Sequence, residues 1–221
     1  MDAKELRVAK AFIFDLDQTL IDSLDRFYVA FNEALKRFSL KQINRELFEK
    51  LYKEDRLNEL LGQVPKEAFW DYFLQIYDEV EAPPSKPIEG ALELLKLLKS
   101  KGVKVAVVTG RKTPVERLAS KLSELGLMKY VDVLLTAQHD GEICRGFLKV
   151  GLLERAMGML GVKPKECVFV GDYKPDILTG KMLGVFTIGV LTGKESAEKL
   201  KELGADLVLG SVKGLLRMLK A

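Results

Sequence analysis

Ala11-Phe12-Ile13-Phe14-Asp15-Leu16-Asp17-Gln18-Thr19 (residues 11–19) is the stretch on which the fold turns. Four apolar residues in a row read as a strand buried on both faces, the pattern of a parallel sheet. The run stops at two acids separated by one residue. Working outward, short apolar runs of the same kind recur at Val103–Val108, Val131–Leu135, Cys167–Val170, Val185–Val190 and Asp206–Leu209. From Ile88 onward helical patterns separate them. Ala91, Leu94, Leu95 and Leu98 precede Gly102; Leu118, Leu122 and Leu125 precede Gly126; Leu152, Leu153, Ala156, Met157 and Leu160 precede Gly161. A glycine closing each helical run is a stop signal. Alternation of strand and helix predicts an α/β fold with a doubly wound, Rossmann-like parallel sheet.

Residues 22–86 break that rhythm. No strand-like run stands there, yet 11 of the 18 aromatic residues do. Phe27, Phe31, Ala34 and Phe38 mark one amphipathic helix, and Phe69, Phe73, Ile76 and Val80 another, with a third around Leu47, Leu51 and Leu61. Ala82-Pro83-Pro84-Ser85-Lys86-Pro87 reads as a linker. The expected organisation is an α/β core from 1–21 and 87–221 with a small all-helical module, 22–86, inserted after the first strand. Most of its aromatics should form the module's own core, leaving Trp70 or Tyr72 as candidates to face a substrate.

Composition narrows the field. A length of 221 residues is enough to fold without disulfides or metal. A net charge of +3 is too mild for a nucleic-acid binder. The two cysteines, Cys144 and Cys167, supply neither a disulfide framework nor a four-cysteine zinc site. The single histidine, His139, excludes paired-histidine metal motifs and reads as a solvated loop residue. No apolar run reaches the roughly 18 residues of a membrane span, and the first is too short for a signal-peptide core. The expected home is the cytoplasm.

Ligands of a doubly wound sheet bind outside the carboxyl ends of its strands. Those ends carry Asp15-Leu16-Asp17-Gln18-Thr19, Thr109-Gly110-Arg111 and Gly171-Asp172-Tyr173-Lys174-Pro175-Asp176. Several carboxylates on one rim repel one another unless a cation neutralises them. An all-oxygen donor set suits Mg²⁺, which also takes phosphate oxygens. Arg111 and Lys112 read as solvated residues at a helix start, with a phosphate contact as the lesser reading. Gly189-Val190-Leu191-Thr192-Gly193-Lys194-Glu195 is no P-loop, because the loop is too short and no Ser or Thr follows the lysine.

Asp-x-Asp-x-Thr after one apolar strand, Thr-Gly-x after a second and Gly-Asp-x-x-x-Asp after a later one resemble the haloacid dehalogenase (HAD) superfamily. The helical insertion resembles that family's cap, and the phosphoglycolate-phosphatase-like branch is the best match. The resemblance implies Asp15 as nucleophile, forming an aspartyl-phosphate, and Asp17 as the acid that protonates the leaving oxygen and later activates water. It further implies Leu16, Thr109 and Gly110 as phosphate-binding residues, with Thr19 shaping the turn. Asp15, the Asp17 carbonyl, Asp172 and Asp176 are the implied Mg²⁺ site. The implied substrate is a small phosphorylated metabolite in the cytosol, with no nucleic-acid or membrane partner, and the cap sets its specificity.

One motif departs from the family. A lysine opening the helix before the Gly-Asp strand is expected near 147, where this chain has Phe147. Lys149, two residues on, is the candidate replacement, and Arg145 the poorer one. The departure leaves two readings: a Mg²⁺-dependent phosphomonoesterase, or a weakly active or non-catalytic binding protein that kept the fold. A phosphomutase or phosphonatase would share most of these motifs. Monomer and homodimer are equally open.

Overall fold

The computed structural model describes residues 6, 8–139 and 148–220. The expectations for the side chain of His139 and for Cys144, Arg145 and Phe147 fall outside them. In chain order the elements are β1 (Ala11–Phe14), β2 (Ile21–Asp22), α1 (Leu24–Arg37), α2 (Arg45–Lys53), α3 (Lys66–Ile76), β3 (Lys86–Pro87), α4 (Ala91–Ser100), β4 (Lys104–Thr109), α5 (Val115–Glu124), β5 (Val133–Thr136), α6 (Val150–Leu160), β6 (Cys167–Gly171), α7 (Lys174–Met182), β7 (Phe186–Val190), α8 (Ala197–Glu202), β8 (Leu207–Leu209) and α9 (Val212–Lys220). The chain divides into two units, Met1–Ile21 with Pro87–Ala221, and Asp22–Lys86. Where it passes from one to the other, β2 and β3 pair as a two-stranded sheet.

In the first unit six parallel strands lie in the order β5-β4-β1-β6-β7-β8. This is the doubly wound α/β arrangement that the alternating runs predict. Successive side chains of a strand face opposite ways, and both faces are dry. Phe12 and Phe14 pack with α4, α5 and α9 through Leu94, Leu95, Leu118, Leu215 and Leu216. Ala11 and Ile13 pack with α6 through Leu152, Leu153 and Ala156. The chain winds from β1 to β4 and β5 on one side, then crosses to β6, β7 and β8 on the other, so the topological switch lies at β1. Register sets the rim: Phe14, the last residue of β1, is level with Val107 and Val170, so β4 ends at Thr109 and β6 at Gly171 just beyond that level.

The second unit is a helical cluster around Phe27, whose ring lies 4.7 Å from Phe73 and 5.4 Å from Tyr52. The side chains of Phe31, Phe48 and Phe69 are wholly buried in it. Buried Asn32 holds the α1–α2 connection, accepting from the Ile43 amide at 2.9 Å and donating to the Ile43 carbonyl at 3.0 Å. Asn44 caps α2 by accepting from the Leu47 amide. Leu47 itself is 40 % exposed, contrary to its place in the sequence pattern. Phe48, Leu51 and Tyr52 carry the buried stripe of α2 instead, because the large rings take its centre and leave Leu47 at the edge. Trp70 gives its indole N–H to Asn58 and packs its ring on Phe27, Phe31, Phe69 and Phe73. Tyr72 packs on Phe38. No described helix is long and apolar enough to cross a membrane.

This packing distinguishes two neighbours in α2. Phe48→Ala should cost about 3–5 kcal/mol in urea unfolding of the full chain, whereas Leu47→Ala should stay within about 0.5 kcal/mol. Equal losses would contradict the assignment of the buried stripe.

Candidate active site

Every strand near the switch point ends in a polar loop, and four of these loops meet. Asp15 is still tied to the sheet, its amide donating to the Val170 carbonyl at 2.8 Å. The chain then folds tightly, the Leu16 carbonyl accepting from the amides of Thr19, Leu20 and Ile21, with Gln18 at φ +57°. That turn points Thr19 inward, where its hydroxyl donates to Asp172 at 3.1 Å. From the loop after β7, the Thr192 hydroxyl donates to the Gln18 carbonyl.

Asp15, Asp172 and Asp176 are all buried, and an oxygen of each lies within 4.8 Å of the others. The Lys149 ammonium donates to Asp15 and, at 2.7 Å, to Asp176. Lys149 sits at the N-cap of α6, its amide donating to the hydroxyl of fully buried Thr179 on α7 at 3.0 Å. The second oxygen of Asp176 accepts from the Tyr173 amide. Lys149 is thus brought into the cluster despite standing two residues beyond the expected position.

One ammonium bonds two of the three carboxylates, and the electrostatics follow. Burial pushes the Asp15 carboxyl up to about 7; Lys149 opposes the rise, and the Asp176 and Asp17 charges add to it. Burial, then the Asp15 and Asp176 charges, hold Asp172 well above the usual carboxylate range. Burial disfavours the Lys149 charge, but Asp15 and Asp176 outweigh it and keep the ammonium protonated. Surplus negative charge among convergent oxygens is what a hard divalent cation neutralises. The space is also built closely: a Cβ added at Gly193 would overlap an Asp172 oxygen, so only glycine lets that backbone approach. The donor set fits a divalent metal.

Asp17 is placed apart from this cluster. Its carboxylate is gripped by Arg111, Nε donating to Oδ2 at 2.8 Å and Nη2 to Oδ1 at 2.5 Å. Arg111 is only 4 % exposed, which corrects its reading as a solvated residue. Helix α5 begins at Val115, so Arg111 belongs to the strand-to-helix loop and turns in toward the rim. Lys112 is exposed. The hydroxyl of buried Thr109 accepts from the Arg111 amide at 3.3 Å. A Cβ added at Gly110 would meet no atom within 4 Å, so this part of the rim is open. The Leu16 side chain is buried, which leaves its backbone N–H as the group it can offer an anion. Beyond Arg111, the sequence reading missed Thr179, Thr192 and Gly193. The last two follow an apolar strand on the same rim, so the strand-end rule applied to the other loops would have found them.

Two outcomes test the cluster. Burial raises the Asp15 carboxyl above its unfolded value, so protonation stabilises the fold at low pH and that stability is lost as pH rises toward about 7. The Tm of chelated protein should therefore fall as pH rises from about 4 to about 8. A saturating divalent cation should flatten that slope; a Tm indifferent to pH under chelation would contradict the charge assignment. Gly193→Ala, by displacing Asp172, should raise the cation concentration for half-maximal thermal stabilisation about tenfold or more.

The sequence matches the family described as haloacid dehalogenase-like hydrolase over residues 12–190. It is 31 % identical over 189 residues to a phosphoglycolate phosphatase from Aquifex aeolicus, covering 83 % of this chain and 85 % of the relative. It is 30 % identical over 216 residues to the pyrophosphatase PpaX of Halalkalibacterium halodurans, covering 92 % and 94 %. Its fold is shared with a hydrolase of known structure from Pseudomonas syringae, at a TM-score of 0.72 and 23 % identity over 96 % of this chain and 98 % of the other. The chain belongs to the haloacid dehalogenase-like hydrolases, as a phosphatase of the phosphoglycolate-phosphatase-like branch.

Proposed function

We propose that this chain hydrolyses small phosphomonoesters with Mg²⁺, through a phosphorylated Asp15. The observation that carries the reading is the Asp15 carboxylate, buried at the switch point and held by Lys149 beside Asp172 and Asp176. A carboxylate so placed attacks phosphorus as the bond to the leaving oxygen breaks, and Asp17 gives that oxygen a proton. Water then attacks phosphorus, returns a proton to Asp17, and the bond to Asp15 breaks to release inorganic phosphate. The Thr109 hydroxyl and the backbone N–H groups of Leu16 and Gly110 bind the transferring group's oxygens. Asp15, Asp172, Asp176 and the Asp17 carbonyl would hold Mg²⁺, which supplies neutralising charge between two anions. Lys149 supplies the protein's own positive charge at the same place.

Phe147 raises a weakly active binding protein as the alternative, against which Lys149 stands as a cation beside Asp15. The named substrates of the relatives, phosphoglycolate and pyrophosphate, support a small phosphorylated metabolite.

Release of inorganic phosphate from p-nitrophenyl phosphate, with Mg²⁺ and with EDTA, tests the reading. Metal-dependent turnover should vanish in Asp15→Asn. Lys149→Ala should lose about 100-fold or more in kcat while Mg²⁺ still raises its Tm. Turnover that survives Asp15→Asn would overturn the assignment of the nucleophile.

A further inference from the structure

The Arg111–Asp17 pair has a geometry that stability does not explain. Burying a guanidinium costs several kcal/mol, and a well-packed apolar side chain in its place is often neutral or better. Arg111 is nonetheless buried beneath a carboxylate that is 29 % exposed, at the rim where the strands end. The exposed partner is the acid, so the pair faces outward through Asp17. Both Asp17 oxygens accept from the guanidinium, one through Nε and one through Nη2. A carboxylate gripped at both oxygens is fixed in orientation, and Asp17 turns freely toward a leaving oxygen or a water only once the fork lets go.

A planar fork matched to two oxygens is released most readily by another group offering the same oxygens, a carboxylate or a phosphate. The fork lies one residue beyond Gly110, where the rim is open. Asp17 lies two residues from the proposed nucleophile.

Resting on the phosphatase reading, we infer that Arg111 is a latch on Asp17, opened by a second anionic group on the substrate beyond the scissile phosphate. The incoming anion takes the guanidinium, and the freed Asp17 takes up a proton from solvent and turns to give it to the leaving oxygen. Arg111 thereby selects substrates twice over, binding the second anion and releasing the acid only when that anion is present. A phosphoester with a neutral leaving group neither gains the contact nor opens the pair.

The test compares kcat/KM for 2-phosphoglycolate and for pyrophosphate, which carry a second anion as carboxylate or as phosphate, with that for 2-hydroxyethyl phosphate, which carries none. The wild type should favour at least one anionic substrate, and which one identifies the anion. In Arg111→Gln that preference should fall about 10- to 100-fold, through a higher KM for the anionic substrate, while kcat for 2-hydroxyethyl phosphate rises because Asp17 is no longer held. Arg111→Lys, which keeps the charge and loses the fork, should fall between the two. Near-UV circular dichroism and Tm of each variant establish that it is folded. An unchanged preference in folded Arg111→Gln, or an equal fall for all three substrates, would overturn the latch; the equal fall would mark Arg111 as a residue that only positions Asp17 or the transferring phosphoryl group. Failure of the underlying reading shows separately, as a wild type that releases phosphate from none of the three with Mg²⁺.

Discussion

Three buried carboxylates gathered where a single ammonium bonds two of them is the constraint around which this candidate site is built. Asp15, Asp172 and Asp176 come from the loop after β1, the loop after β6 and the first turn of α7, and no local sequence preference would gather them. Like charges at this separation in a dry site repel strongly. The arrangement persists because Lys149 lies among them, Thr19 and the Tyr173 amide donate to two of them, and the remaining charge suits a divalent ion. The repulsion that costs the protein stability is the same feature that makes the cluster fit a divalent cation. A buried ammonium held by Asp15 and Asp176 also stays charged across the neutral range.

The sheet is what makes that convergence possible. β1 lies between β4 and β6 with Phe14, Val107 and Val170 in register, so the three strands end close to one another and deliver their loops to one rim. Two well-packed layers, one against α4, α5 and α9 and one against α6, fix those levels. Side-chain positions at the rim inherit their precision from this rigid base rather than from the loops themselves. Thr179 shows the same economy: on α7 and fully buried, it receives the Lys149 amide and so sets where the lysine begins its reach.

The two acids of the first loop are treated differently. Asp15 is drawn into the carboxylate cluster, while Asp17 is directed to Arg111. Two acids separated by one residue and assigned opposite environments do not compete for the same cation. The split also places the bidentate grip on Asp17, where release of one bond changes what the carboxylate can do.

By itself the sequence determined the α/β class, the placement of strands at short apolar runs, the helices between them and the aromatic helical stretch. These rest on periodicity and on stop signals that act within a few residues. It also marked Asp15, Asp17, Thr109, Asp172 and Asp176 as strand-end residues, because an acid or hydroxyl directly after a buried run costs stability unless it is solvated, paired or bound to a ligand. Within the helical unit it misread Leu47, since competition between Leu47 and Phe48 for the buried face is settled by the rings already packed around Phe27. Only the tertiary structure decided that Lys149 stands beside Asp15, that Arg111 is buried against an acid 94 positions away, and that Gly193 closes on Asp172. The reason is physical. Local patterns fix which face of an element is apolar, whereas contacts between loops depend on strand register and on charges whose burial is favourable only once a partner from a distant segment has arrived.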